Sequence, residues 1–292
     1  LKQEGKMPMP VTQANPYVDA FWNWLPNLYT DLHTFRITGG EPLMSQDTWK
    51  VLDYILEHPN PNKNLNLAIN SNLGVPDKLV DRFIEKVQKI CEEDRVKEFV
   101  IFTSVDSWGA QAEYIRNGLE FNRFWDNCHK VLEKCPKVIL TYMVTYNALS
   151  VPNYDKLIRG VYDLKTQYGS DDRYWNSATF LDTSYLRHPK HQTVQVLEPH
   201  WADKIYADAQ LVDFLGVPLF EKEYIGYSDV EIQKLKRTFD WMKSPIPEKQ
   251  LETQRRNFGY YFRAHDERRG TDFCATFPEL EEFYRKCLEI KI

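Results

Sequence analysis

Phe35-Arg36-Ile37-Thr38-Gly39-Gly40-Glu41-Pro42-Leu43 is the stretch on which the reading of this chain turns. A short β-branched and aromatic run predicts a buried strand, and it stops on two glycines, a carboxylate and a proline before an amphipathic helix begins. Paired glycines let a ligand lie directly against the backbone, whose N–H and C=O groups can grip its polar end. Glu41 adds a negative charge at the same spot and Pro42 stiffens the exit from the turn. The ligand that best suits this arrangement carries an ammonium group. Glycine and proline also mark ordinary strand-to-helix turns, and the rest of the chain separates the two readings.

Downstream, Ser45 is a good N-cap for a helix whose Trp49, Leu52, Ile55 and Leu56 share one face. After a Pro-Asn-rich turn at 59–64 comes a strand over 65–69 that ends in the polar tip Asn70-Ser71-Asn72. A helix marked by Leu79, Val80, Phe83, Ile84, Val87 and Ile90 follows, then a strand over 99–102 with the tip 103–107. A helix over 120–134, a strand over 138–145 with the tip Tyr146-Asn147, a helix over 153–167 and a strand near 177–182 complete the series. Upstream, residues 1–15 are a polar lead-in, and 16–30 predict one or two short helices despite Pro26. Alternating strand, polar tip and helix predicts an α/β fold with a parallel sheet and right-handed crossovers, open or closed into a barrel. Ligands then gather at the carboxyl ends of the strands. Glu41, Asn70, Asn72, Ser104, Asp106 and Asn147 are therefore expected to line one mouth.

Past residue 183 the pattern changes. Residues 193–197 predict one more strand, and 201–215, 230–242, 247–264 and 277–287 predict helices, with Gly270 as a C-cap. The chain thus divides into a core at 1–183 and a mostly helical extension at 184–292.

Composition bounds the partners. At 292 residues, 42% hydrophobic and 27% charged, the chain has ample material for a soluble core. A net charge of -5 lacks a nucleic-acid footprint. No apolar run approaches the roughly 20 residues that span a bilayer, and the start lacks signal-peptide form. Five cysteines, an odd number without a framework, fit a reducing, cytoplasmic setting. Cys128 and Cys135 read as buried small hydrophobes. His188, His191 and His200 have no nearby Cys or carboxylate set at a familiar metal-binding spacing.

Thr38 to Leu43 resembles the glycine-glycine-glutamate-proline motif of the radical S-adenosylmethionine (SAM) superfamily. Ser104-Val105-Asp106, with Arg116 after it and a helix near Phe121, is similar to that family's Ser-x-Asp and arginine segment, and Asn70-Ser71-Asn72 to its polar tip. Gly270-Thr271-Asp272-Phe273 and Phe277-Pro278-Glu279-Leu280 look like twitch-domain members of the group. The resemblance implies a partial (β/α)6 TIM-like barrel lacking its first strand. It implies SAM and a 4Fe-4S cluster as cofactors, an electron donor such as flavodoxin or ferredoxin, and a small-molecule or peptide substrate. The cluster cleaves SAM reductively to a 5'-deoxyadenosyl radical that abstracts hydrogen, and the protein binds and orients the cofactors.

Carried over by position, Gly39, Gly40 and Glu41, followed by Pro42, hold the methionine ammonium. Ser104 and Arg116 hold its carboxylate, the guanidinium being a planar fork of matching shape. Asp106 accepts from the ribose hydroxyls, Val144 and Thr145 lie against the adenine, and Asn70 and Asn72 complete the set. The family's C-x3-C-x2-C loop is the departure: residues 1–38 contain no cysteine. The cluster ligands are expected upstream of Leu1, and the chain alone is expected to be inactive.

Two other readings share these residues. One is a cluster-free α/β protein that binds SAM or a nucleotide. The other is a barrel hydrolase with Glu41 and Asp106 as its carboxylate pair, which requires a separation of roughly 5 to 10 Å. Arg116 also has Glu113 and Glu120 as ordinary surface partners, and Asp106 is a residue that commonly caps turns.

Overall fold

The computed structural model describes residues 15–169, 177–216 and 226–291. All but Asn15 of the lead-in expected at 1–15 lies outside the described residues. In chain order come α1 (Pro16–Leu28), β1 (Thr34–Ile37), α2 (Gln46–Glu57), β2 (Asn62–Asn70), α3 (Asp77–Glu92), β3 (Val96–Ser104), α4 (Gly109–Ile115), α5 (Phe121–Lys134), β4 (Val138–Tyr146), α6 (Tyr154–Tyr168) and β5 (Thr179–Tyr185). Between 16 and 30 there is one α-helix that runs through Pro26, with a 3-10 turn at Tyr29–Asp31 behind it. Ser45 sits at the N-cap of α2 as expected, but its side chain makes no capping bond.

The five strands form one sheet in the order β1-β2-β3-β4-β5, and every neighbouring pair is parallel. The helices after β2, β3 and β4 pack on a single face. Phe83 of α3 meets Phe99 at 6.2 Å, Phe124 of α5 meets Tyr142 at 6.4 Å, and Tyr154 of α6 meets Tyr146 at 4.6 Å between ring centroids. Sequential order with right-handed crossovers requires this one-sidedness. Leu67, Ile69, Phe99, Ile101, Leu140 and Tyr142 point to the helices and are fully buried. By the period of two, Arg36, Asn70, Phe102, Ser104, Met143, Thr145 and Asp182 occupy the opposite face, where each keeps some exposure. That open face ends at the tips of all five strands.

The remaining helices are α7 (Trp201–Phe214), α8 (Asp229–Lys243), α9 (Glu248–Arg269), α10 (Phe273–Thr276) and α11 (Glu281–Glu289). Gly270 closes α9 in the left-handed region at φ +65°. The strand expected at 193–197 is not one. Val194–Val196 is a 3-10 turn whose Val194, Gln195 and Val196 are all buried. Val194 O takes the Leu197 amide at 3.2 Å, and Arg255 donates to Val196 O at 2.8 Å and to Leu197 O at 3.1 Å. The alternating apolar pattern reports burial here, not extension.

Helix α8 seals the β5 edge. Glu231 accepts from the Leu181 amide at 2.7 Å and pairs with Lys165 of α6 at 3.0 Å, both side chains being 2% exposed. It also accepts from the amide and hydroxyl of Ser228, each at 2.8 Å, closing a capping box. Lys165 meanwhile donates to Thr179 O at 2.7 Å. Removing one partner of such a pair strands the other charge in the interior. Glu231→Ala is expected to lower the unfolding free energy by about 3 to 5 kcal/mol in urea titrations.

On α7, Asp208 is 1% exposed. Lys204 donates to one of its oxygens at 2.6 Å and to Asp155 at 2.8 Å, while the other Asp208 oxygen is buried without a partner. Burial pushes the Asp208 carboxyl up from 3.8 to about 7, Lys204 opposing and Asp155 adding to the effect. The folded chain therefore keeps a proton that the unfolded chain releases near pH 3.8. The stability this lends is complete below that value and is lost as the pH rises through about 7. Asp208→Asn is expected to flatten that decline by up to about 1.4 kcal/mol per pH unit, read from urea midpoints across the interval.

Candidate functional site

Strand β1 runs directly into the glycine turn. Gly39 sits at φ +105°, a region side chains rarely adopt, and a Cβ added at Gly39 or Gly40 meets no protein atom within 4 Å. The backbone there faces open space. Both glycines, Glu41 and Pro42 line a cavity of about 530 Å³ along the free edge of β1, closed by Phe21 of α1 and by Thr48 and Val51 of α2. Arg36 lines it as well. The tips of β2, β3 and β4 do not line this cavity; the β2 tip is hydrogen-bonded to Glu41, and the tips of β3 and β4 to each other.

Glu41 makes the first link. Its Oε1 accepts from the Leu43 amide at 3.1 Å and from the Ser71 hydroxyl at 2.8 Å, and its Oε2 accepts from the Asn72 amide at 2.8 Å. A carboxylate offers about four acceptor directions, so one remains for a cation. The β2 tip is folded for the purpose: Leu73 takes φ +51°, and the Asn72 side chain is spent on the Gly74 amide at 2.8 Å. Ser71, buried between the two predicted asparagines, is the residue that bonds Glu41, and the sequence reading passed over it. Its signal was present in the short hydroxyl between two turn formers.

Asp106 makes the second link. It is 4% exposed, accepts from the Thr145 amide at 2.7 Å through Oδ1, and pairs through Oδ2 with Arg116 Nε at 2.8 Å. Burial raises its carboxyl above the ordinary range, with Arg116 and the Thr145 amide pulling the other way. Arg116 thus meets Asp106, not Glu113 or Glu120; Glu113 accepts from the Phe121 amide at 2.7 Å. One contact falls on each Asp106 oxygen, the Thr145 amide on Oδ1 and the Arg116 ion pair on Oδ2. Ser104 stands half-exposed on the open face, in register with Met143. Of the adenine pair, Thr145 is exposed on that face, whereas Val144 turns into the helix-packed core and presents no side chain to the mouth. Asn147 is a turn residue: it is buried, its Nδ2 donates to Thr145 O at 2.9 Å, and its Oδ1 accepts from the Leu149 amide at 2.9 Å.

Arg116 is delivered by α4, whose C-cap it forms, and the helical extension holds α4 in place. Tyr114 donates to Asp266 at 2.7 Å, and Gln111 donates to Thr276 O and to Glu279, each at 3.2 Å. The segment after Gly270 secures that anchor. Thr271 and the Phe273 amide donate to the Asp266 carboxylate at 2.7 and 2.8 Å.

Asn70 turns to Arg36 and not to the rim, accepting from its Nε at 2.8 Å. Arg36 was also passed over in the sequence, although a charge between Phe35 and Ile37 in a period-two strand marks the open face. Among the described residues no three of His, Cys, Asp and Glu stand together as a metal site. Burial pushes the thiols of Cys91, Cys128 and Cys287 up to about 12, as for small core residues, and among the described residues none of them stands with two further ligand-type side chains. These cysteines do not fit a 4Fe-4S cluster. Compared with known protein families, curated proteins and solved structures, the chain matches none.

Glu41→Ala is expected to lower the unfolding free energy by about 1 to 3 kcal/mol, and Ser71→Ala by about 1 kcal/mol. Urea unfolding checks both, and an unchanged Glu41→Ala stability contradicts the link between the tips.

Proposed function

We propose that this chain binds SAM at the carboxyl ends of its strands, as the barrel portion of a radical SAM enzyme. The sequential parallel sheet with helices on one face is read as part of a TIM-like barrel. The observation that carries the proposal is the glycine turn: an open cradle at Gly39 and Gly40, beside a carboxylate already aimed by three donors and keeping one acceptor direction free. A small zwitterion with an ammonium group matches it. Thr145 and Ser104 keep exposure on the open face, and in this reading they meet the nucleoside end. Asp106 supports the reading less directly than the resemblance implied, since its oxygens align Arg116 and the Thr145 amide. In this reading the Arg116 guanidinium also meets an anion at the mouth.

SAM bound in this way supplies the 5'-deoxyadenosyl group with which the superfamily abstracts hydrogen. This chain's own part is to clasp the amino-acid end, to fix the orientation of the nucleoside and to present an open sheet face for the substrate. No described residue is a cluster ligand, so the iron-sulfur chemistry is not assigned to any of them.

Calorimetric titration with SAM is expected to give saturable one-to-one binding; none at all overturns the proposal. Gly40→Ala places a methyl in the cradle without meeting protein atoms. It is expected to leave the thermal midpoint unchanged while weakening SAM by about 1 to 3 kcal/mol, roughly 5- to 150-fold. Anaerobic treatment with iron and sulfide, then reduction with SAM present, separates the two SAM-binding readings. 5'-Deoxyadenosine supports radical chemistry, and binding without it supports the cluster-free alternative.

A further inference from the structure

We infer that Arg36 is an anion-recognition group of this site, so that a ligand seated on the open sheet face carries a carboxylate or phosphate that its guanidinium takes. Arg36 projects from the middle of β1, one alternation below the glycine turn, and lines the 530 Å³ cavity with Gly39 and Gly40. Its surroundings fix it in place. The guanidinium carbon lies 4.0 Å from the Phe102 ring centroid, Nε donates to Asn70 Oδ1 at 2.8 Å, and Nη2 contacts the Met143 sulfur at 3.7 Å. Three neighbouring strands therefore set the geometry of one side chain.

What they leave unused is the recognition edge. Guanidinium carries five N–H donors, and these contacts leave both Nη1 protons and one on Nη2 without an acceptor among the described residues. Among the described residues no carboxylate pairs with Arg36, whereas Arg116 forms an ion pair with Asp106 at 2.8 Å. An ordinary solvated arginine spreads over many rotamers. Here stacking on Phe102 and the bond to Asn70 have already restricted them, which lowers the entropy cost of binding a planar oxyanion through two parallel bonds.

Arg36 stands three residues before the glycine turn, and it lines the same cavity as Glu41. An anion at Arg36 and an ammonium at Glu41 would share that cavity, as two ends of one ligand or as two ligands side by side. The recognition chemistry is the same in both cases, and its source is either the methionine carboxylate of SAM or an acidic second substrate. The identity of the ammonium-bearing ligand rests on the proposed function; the role of Arg36 rests on the geometry of β1, β2, β3 and β4.

The test titrates the full chain, as wild type, Arg36→Leu and Arg36→Lys, with three probes: SAM, decarboxylated SAM and inorganic pyrophosphate. Arg36 is exposed, so both variants are expected to fold, and Arg36→Lys keeps the charge if Arg36→Leu does not fold. The expected result is that Arg36→Leu weakens at least one anionic probe by about 10- to 100-fold, and Arg36→Lys weakens it less. A loss that strikes SAM and spares decarboxylated SAM assigns the anion to the methionine carboxylate. A loss of pyrophosphate binding at unchanged SAM affinity assigns it to a second substrate. Affinities unchanged in Arg36→Leu for every probe overturn the inference, as does equal weakening of SAM and decarboxylated SAM with pyrophosphate unaffected. Wild type that binds pyrophosphate but not SAM sinks the proposed function and leaves the pyrophosphate arm to judge Arg36 alone; wild type that binds neither sinks both.

Discussion

A strand in a parallel sheet ends on backbone N–H groups that its own ladder no longer satisfies, and the turn that follows must find acceptors for them. In this protein carboxylates supply those acceptors at two tips. Glu41, at the end of β1, takes the Asn72 amide beyond β2, and Asp106, beyond β3, takes the Thr145 amide of β4. Each carboxylate thereby ties the tips of adjacent strands together across the mouth of the sheet. Because amides lie at fixed backbone positions, the two links also fix where the negative charge sits. A rim held in this way is preorganised, so a charged ligand bound there, as proposed, would meet a geometry already set.

The helical extension acts on the same rim from outside. Asp266 gathers Tyr114, Thr271 and the Phe273 amide, so the end of α9 and the start of α10 are fastened to α4. Helix α4 in turn ends at Arg116, which meets Asp106. Changes in the extension can therefore reach the mouth through one short helix. At the other edge of the sheet, Glu231 and Lys165 bury a charged pair to satisfy the Leu181 amide and hold α8 along β5. The cost of desolvating that pair is offset by the number of donors Glu231 satisfies. One edge is sealed and the other, at β1, faces the cavity with Arg36 beside it.

How much of this was legible follows from which interactions are local. The strands and their polar tips were readable because period-two and helical patterns are written in consecutive residues, and β1 through β5 lie where those patterns place them. Residues 193–197 show the limit: Thr-Val-Gln-Val-Leu alternates like a strand, but Arg255, nearly sixty residues on, takes the carbonyls. The pairing of Asp106 with Arg116 was hidden for a related reason. Each has plausible partners nearby in sequence, and only the path of α4, for which no pattern was read, decides between them. The facing of Val144 and Thr145 was accessible in principle, since alternation from Tyr142 sends Val144 to the core. Arg36 and Ser71 were missed because each looked like filler between stronger signals.

The central claim is that Glu41 and Asp106 bind the strand tips into a rim that receives a ligand at the glycine turn. Hydrogen exchange resolved to single amides, with and without SAM, tests it most directly. The account predicts that the Asn72 and Thr145 amides are protected in the free protein although both lie at strand ends, and that SAM adds protection at Gly40 and Glu41. Free exchange at Asn72 and Thr145, or protection by SAM that falls only on the C-terminal helices, would contradict it.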